Sequence, residues 1–246
     1  MIKTMMALLM TASMAATAQA TDYHYDGVVY LPESSDVGPA TVYPITFEVG
    51  GGGGAGGGGG AVADVDIALN RLIFPFFGDI VAGLRAPDGT AVYFLGGAGI
   101  NGGNHADGGS YVFDDDAAAP IEEYPVVQLI APGHYRESVY VTSGLTGDPD
   151  PFGFGTYSTS LASFNGHAAK GVWQLYLLDQ YDGDKGMLDG ATLSIATAAV
   201  PEPGSWATML AGFGLCGGAL RATSRATDRA GGPATGRATG WLTGRG

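Results

Sequence analysis

With 46% hydrophobic and 10% aromatic residues among 246, the chain has enough apolar material for a core, which excludes wholesale disorder. Only 14% of residues are charged and 43 are glycine, a balance that suits a loop-rich all-β protein better than a helical bundle. The net charge is −13, and between Thr21 and Ala199 five basic residues stand against 22 acidic ones. Such a surface excludes nucleic-acid binding and attracts divalent cations. The single cysteine, Cys216, excludes an intrachain disulfide framework.

Residues 1–20 read as a signal peptide. Lys3 supplies the positive start, Met5 to Ala16 the apolar stretch, and Ala18-Gln19-Ala20 the small-x-small site for signal peptidase. The chain is therefore expected to be exported across the inner membrane. A strand follows around Thr46-Phe47-Glu48-Val49, and then a glycine run, 50–60, reads as an enlarged surface loop. Val65, Ile67 and Leu69 alternate with polar or small residues, as a half-buried strand does. Ile80 and Leu84 share a face of another strand, which ends in the turn Ala86-Pro87-Asp88-Gly89 and returns as Val92 to Leu95. Trp173, Leu175 and Leu177 alternate later, as do Leu193 and Ile195, and Trp173 is expected in the core. No helical stripe precedes Pro201. Many short strands between turn signals predict an all-β fold, a jelly-roll-like β-sandwich over 21–199.

The C-terminal end carries three signals in order. Pro201-Glu202-Pro203 fix an extended, accessible backbone. An apolar segment, 206–220, predicts a single transmembrane anchor helix, with Trp206 at one interface and Arg221 and Arg225 beyond the other. Over 200–229 this arrangement resembles the PEP-CTERM sorting signal of Gram-negative bacteria. The resemblance implies processing by exosortase, placement at the cell envelope, outer surface or extracellular matrix, and association with exopolysaccharide and biofilm. Family members usually stop soon after the basic cluster, whereas here a low-complexity tail continues over 230–246.

The central domain resembles the P-domain (P/Homo B) of proprotein convertases over about 41–197. The residues that carry the likeness are Val65-Asp66-Ile67, Gly78-Asp79-Ile80, Ala86-Pro87-Asp88-Gly89-Thr90, Phe113-Asp114-Asp115-Asp116 and Gly171-Val172-Trp173. Gly183-Asp184-Lys185-Gly186 and Leu188 through Ile195 complete it. The resemblance implies a jelly-roll-like sandwich and, since no catalytic domain accompanies it on this chain, a non-catalytic role. That role is structural or adhesive in an exopolysaccharide matrix, or else that of a stabilising module for a separate secreted serine protease.

Catalysis finds little footing. His24, His105, His134 and His167 lie in no triad context and no G-x-S-x-G elbow occurs, so a cryptic hydrolase is the least favoured alternative. The carboxylate pairs Glu122-Glu123 and Asp148-Pro149-Asp150 read as solvated turns. Calcium is the one cofactor that the sequence supports, since it takes six to eight oxygen ligands from flexible loops. Asp114 and Asp115 form one candidate ligand set, and Asp179, Asp182 and Asp184 the other. The alternative is that these aspartates cap turns. Phe76, Phe77, Phe152 and Phe154 are candidates for exposed contact with a partner.

Overall fold

The structure, a computed structural model, describes residues 19–32, 38–50, 60–100, 103–126, 128–140 and 150–198. The chain divides into two units, Met1–Ala199 and Val200–Gly246. The sorting motif Pro201-Glu202-Pro203, the anchor segment with Trp206, Arg221 and Arg225, and most of the signal peptide lie outside the described residues. Among those described, no helix is long and apolar enough to cross a membrane.

Among the described residues, eleven strands form two sheets. They are β1 (Gln19–Tyr30), β2 (Gly38–Pro39), β3 (Ile45–Val49), β4 (Val62–Phe74), β5 (Ile80–Arg85), β6 (Ala91–Gly96), β7 (Ala106–Phe113), β8 (Gly133–Tyr135), β9 (Ser138–Val139), β10 (Gly171–Asp179) and β11 (Met187–Thr197). The first sheet runs β1-β11-β4-β7-β8 and the second β2-β10-β5-β6-β9, with β3 also paired to β10. Pairing is antiparallel except for β6 with β9 and β7 with β8. The molecule is an all-β sandwich.

The alternation read in the sequence sets the inner faces. Val65, Ile67 and Leu69 of β4 and Leu193 and Ile195 of β11 point inward from one sheet. Trp173, Leu175 and Leu177 of β10 meet them from the other. Trp173 is fully buried, its indole N–H donates to Ala169 O at 2.8 Å, and its ring meets Phe164 edge-on at 4.9 Å. A buried indole that satisfies its one donor in this way costs the core nothing in unmet polarity.

Three places depart from the sequence reading. A strand that the sequence reading does not name, β1, pairs with β11 from Gln19↔Thr197 to Tyr30↔Met187 and buries Val29. Phe77 is not a contact residue: a short 3-10 turn, Phe77–Asp79, swings its ring into the core, 5.3 Å from that of Tyr111. Its neighbour Phe76 faces outward, 42% exposed. Phe152 and Phe154 are half-buried as well. They lie over the outer face of the second sheet, where Gly83 has no side chain to hold them off. Phe152 stacks on Tyr93 at 5.0 Å, and Phe154 packs beside it at 5.1 Å.

Gly186 is required where the β10–β11 crossover passes over β4. A Cβ there would run into the Phe74 ring and sit 2.7 Å from the Ile73 carbonyl oxygen. We expect Gly186→Ala to lower stability by about 1–3 kcal/mol, read as a reduced urea midpoint with an unchanged slope.

Candidate functional site

The antiparallel register of β5 and β10 places the acidic residues of two distant segments together. Asp179, the last residue of β10, lies opposite Ile80, the first of β5. One residue further on, the Gln180 N–H donates to the Asp79 carbonyl oxygen at 2.9 Å. Asp79 therefore stands at the end of β10, joined from the crossover to β11 by Asp182 and Asp184. Of the residues expected to bind calcium here, Asp182 is exposed and Asp184 half-exposed.

Asp179 and Gln180 are the unusual members. They are 0% and 1% exposed. Asp179 Oδ1 accepts the Tyr181 N–H at 3.1 Å, the local turn that an aspartate readily makes. Its Oδ2, and both Oε1 and Nε2 of Gln180, have no hydrogen-bond partner among the described residues. A buried polar atom left unmet costs about 1–3 kcal/mol, more if charged. Native folds rarely keep such atoms without a reason.

The electrostatics point the same way. Burial, with the Asp179 and Asp184 carboxylates, pushes Asp79 up to about 7. Burial pushes Asp179 up to about 6, aided by Asp184 and Asp182 and opposed by the Tyr181 N–H. Burial raises Asp184 too. All the donors are oxygens, apart from the amide nitrogen of Gln180, which suits a hard cation such as Ca²⁺ rather than zinc or copper. The carboxylates do not form a ready-made cage: among the described residues no three acidic, imidazole or thiol side chains stand together as a metal set.

The second acidic group lies on the outer side of β4 and after β7. Asp114, Asp115 and Asp116 influence Asp64 and Asp66 of β4. Asp114 Oδ1 accepts the Asp116 N–H at 2.7 Å, a turn-capping role. His134 Nδ1 is 3.9 Å from Asp114 Oδ2. Asp66 Oδ1 and Asp115 Oδ1 are buried atoms without a hydrogen-bond partner among the described residues, on side chains that are otherwise half-buried.

The imidazoles are wired for structure. His167 Nδ1 meets Asp88 Oδ2 at 2.6 Å and Thr90 Oγ1 at 3.3 Å. A relay needs the acid on one ring nitrogen and the hydroxyl on the other. Here both use the same nitrogen. His24 bonds Thr192 Oγ1 at 3.1 Å and His105 Nδ1 lies 3.3 Å from Gly103 O. Of the expected carboxylate pairs, Glu122 and Glu123 accept the Gly99 and Ile100 N–H groups through their backbone oxygens, each at 2.9 Å. Asp148 lies outside the described residues, whereas Asp150 fastens the aromatic strap. Its carboxylate accepts from Tyr93 OH at 2.7 Å, Phe154 N–H at 2.9 Å and Gly155 N–H at 2.6 Å. Partial burial opposes its ionisation, but these bonds outweigh it and hold the carboxyl below the usual range.

The fold and this grouping define a two-layer β-sandwich whose acidic residues gather at a strand crossover. No family model and no curated protein matches the chain. Among solved structures, it is similar to the crystal structure of an Aeromonas sobria serine protease in complex with its chaperone. The identity is 12% and the TM-score 0.37, over 75% of this chain and 28% of that one.

Asp66 yields a pH prediction. Burial, then the carboxylates of Asp64, Asp114, Asp115 and Asp116, push it up to about 7. Its folded value lies above its unfolded one, so its contribution is full below about pH 4 and lost as pH rises through about 7. In chelator-treated buffer Asp66→Asn should be the more stable form at pH 8, by on the order of 1 kcal/mol after solvent screening. Thermal melts across the pH range should show that gain vanish near pH 4.

Proposed function

We propose that this chain is a non-catalytic, P-domain-like sandwich of jelly-roll type, exported and displayed at the envelope of a Gram-negative bacterium as a structural or adhesive part of an exopolysaccharide matrix. The observation that supports the non-catalytic reading is the wiring of His167, where Asp88 and Thr90 meet the same ring nitrogen rather than opposite ones. Display is supported by the sequence alone, through the signal peptide at 1–20 and the Pro201-Glu202-Pro203 motif with its apolar and basic followers, read as substrates of signal peptidase and exosortase.

The outer surface of the first sheet supports a role in binding polyhydroxylated polymer. Across it, His24 bonds Thr192, Asn70 Nδ2 donates to Thr192 Oγ1 at 2.9 Å, and Ser110 Oγ donates to Asn70 Oδ1 at 3.3 Å. A row of ordered, solvent-facing hydroxyl, amide and imidazole groups offers both donors and acceptors to hydroxyls.

The test is retention of the purified chain on the producer's own extracted exopolysaccharide, in calcium and in EDTA. Retention in calcium is the expected result, and Asn70→Ala should weaken it. No retention in either buffer would overturn the matrix role and assign the module to a protein partner, as in the protease-accessory reading.

A further inference from the structure

We propose that the outer face of β10 is a stacking platform for a neutral polymer of pyranose sugars, built from Tyr43, Tyr176 and Phe154 beside Thr46, Gln174 and Arg85. This face rests on the matrix role proposed above and fixes the chemistry of the polymer that it meets. Strand register sets two rows side by side. Thr46 lies opposite Gln174, and Gln174 opposite Arg85, so three polar side chains cross the sheet in a line. Two residues further along β10, Tyr176 lies opposite Gly83. Gly83 has no side chain, and the rings of Phe152 and Phe154 settle over it. Tyr176 meets the Phe154 ring edge-on at 5.1 Å and the Tyr43 ring edge-on at 5.2 Å. Tyr43 is 38% exposed, while Tyr176 and Phe154 are half-buried, so each ring keeps some surface in solvent. The Tyr176 hydroxyl donates to Gln174 Oε1 at 3.2 Å and links the aromatic row to the polar one.

A pyranose has an apolar C–H face and a rim of hydroxyls. The face suits an aromatic surface, and the rim needs donors and acceptors next to it. Both are present here, and the rings are set before any ligand arrives. Phe152 is stacked on Tyr93, the Tyr93 hydroxyl donates to Asp150, and the same carboxylate accepts the Phe154 N–H. Rings already held in place lose little freedom on binding. Charge then selects the polymer. Between Thr21 and Ala199 five basic residues stand against 22 acidic ones, which repels uronate, phosphate and sulfate groups and an anionic membrane alike. Glu48, exposed on β3 two residues beyond Thr46, is an acceptor that sugar hydroxyls can serve. A proline-rich strand, which lacks backbone N–H groups, cannot serve it.

The full chain would be titrated calorimetrically with three probes. These are the neutral and the acidic fractions of the producer's exopolysaccharide, separated by anion exchange, and poly-L-proline. The expected result is binding to the neutral fraction alone. Tyr43→Ala and Tyr176→Ala should each weaken it about tenfold. Tyr124→Ala, which removes a ring 61% exposed elsewhere on the surface, should bind as the parent does. Where circular dichroism shows that Tyr176→Ala has lost its fold, the exposed Tyr43→Ala decides. No heat with the neutral fraction would overturn the proposal, as would tighter binding to the acidic fraction or to poly-L-proline. A Tyr43→Ala affinity equal to the parent's, or a loss that follows Tyr124→Ala, would overturn it too. If the parent chain is still retained on whole exopolysaccharide in those cases, only this face falls and the matrix role stands. Loss of that retention as well removes both.

Discussion

A carboxylate with no solvent exposure ends β10, and the relation between the two sheets turns on what surrounds it. β10 is central to one sheet, flanked by β5 on one side and by β2 and β3 on the other. β11 is central to the other sheet, between β1 and β4. The segment from Gln180 to Gly186 must carry the chain from one layer to the other, and it does so with Asp179 buried at its start and Gly186 against Phe74 at its end. The Leu31 N–H also donates to Gly186 O, at 3.0 Å, so the end of β1 is tied to the same crossover. A closed apolar interior leaves no room for polar atoms there unless they are paired. Burial and unmet polarity thus meet at one corner of the fold.

The two outer faces differ for reasons that lie in their cover. The second sheet is buried on both sides along β5 and β6, because Phe152, Phe154 and Tyr157 lie across Val81, Gly83 and Tyr93 and are fastened by Asp150. Among the described residues, the first sheet has no such cover over its polar row, and its outward residues bond to one another instead. A strand covered on both faces loses its alternation, and one left bare on a face keeps it.

How much of this was legible follows from the range of each interaction. Val65-Ile67-Leu69 and Trp173-Leu175-Leu177 announced their strands because a single buried face imprints a period of two on adjacent residues. β1 left a fainter mark: Tyr23, His24, Tyr25 and Asp26 have polar tips on both faces, and among residues 20–30 only Val29 is fully buried. Phe76 and Phe77 are neighbours with opposite fates, decided by a three-residue turn that composition does not reveal. Asp179, Asp182 and Asp184 could be singled out as a local cluster. Asp79 lies a hundred positions earlier, and only the register of β5 on β10 brings it in. Gln180 gave no signal because an amide within a turn sequence reads as a surface residue, and its burial is a property of the packed crossover.

The most direct test is the stability of Asp179→Asn against that of the parent chain across the pH range, in chelator-treated buffer. Burial pushes the Asp179 carboxyl up to about 6, so its folded value lies above its unfolded one, and its contribution is full below about pH 4 and lost as pH rises through about 6. Thermal melts should show Asp179→Asn the more stable form at pH 8, with the gain gone near pH 4. A variant less stable than the parent at pH 8 would contradict this, because the carboxylate would then be held by a partner that the amide cannot replace.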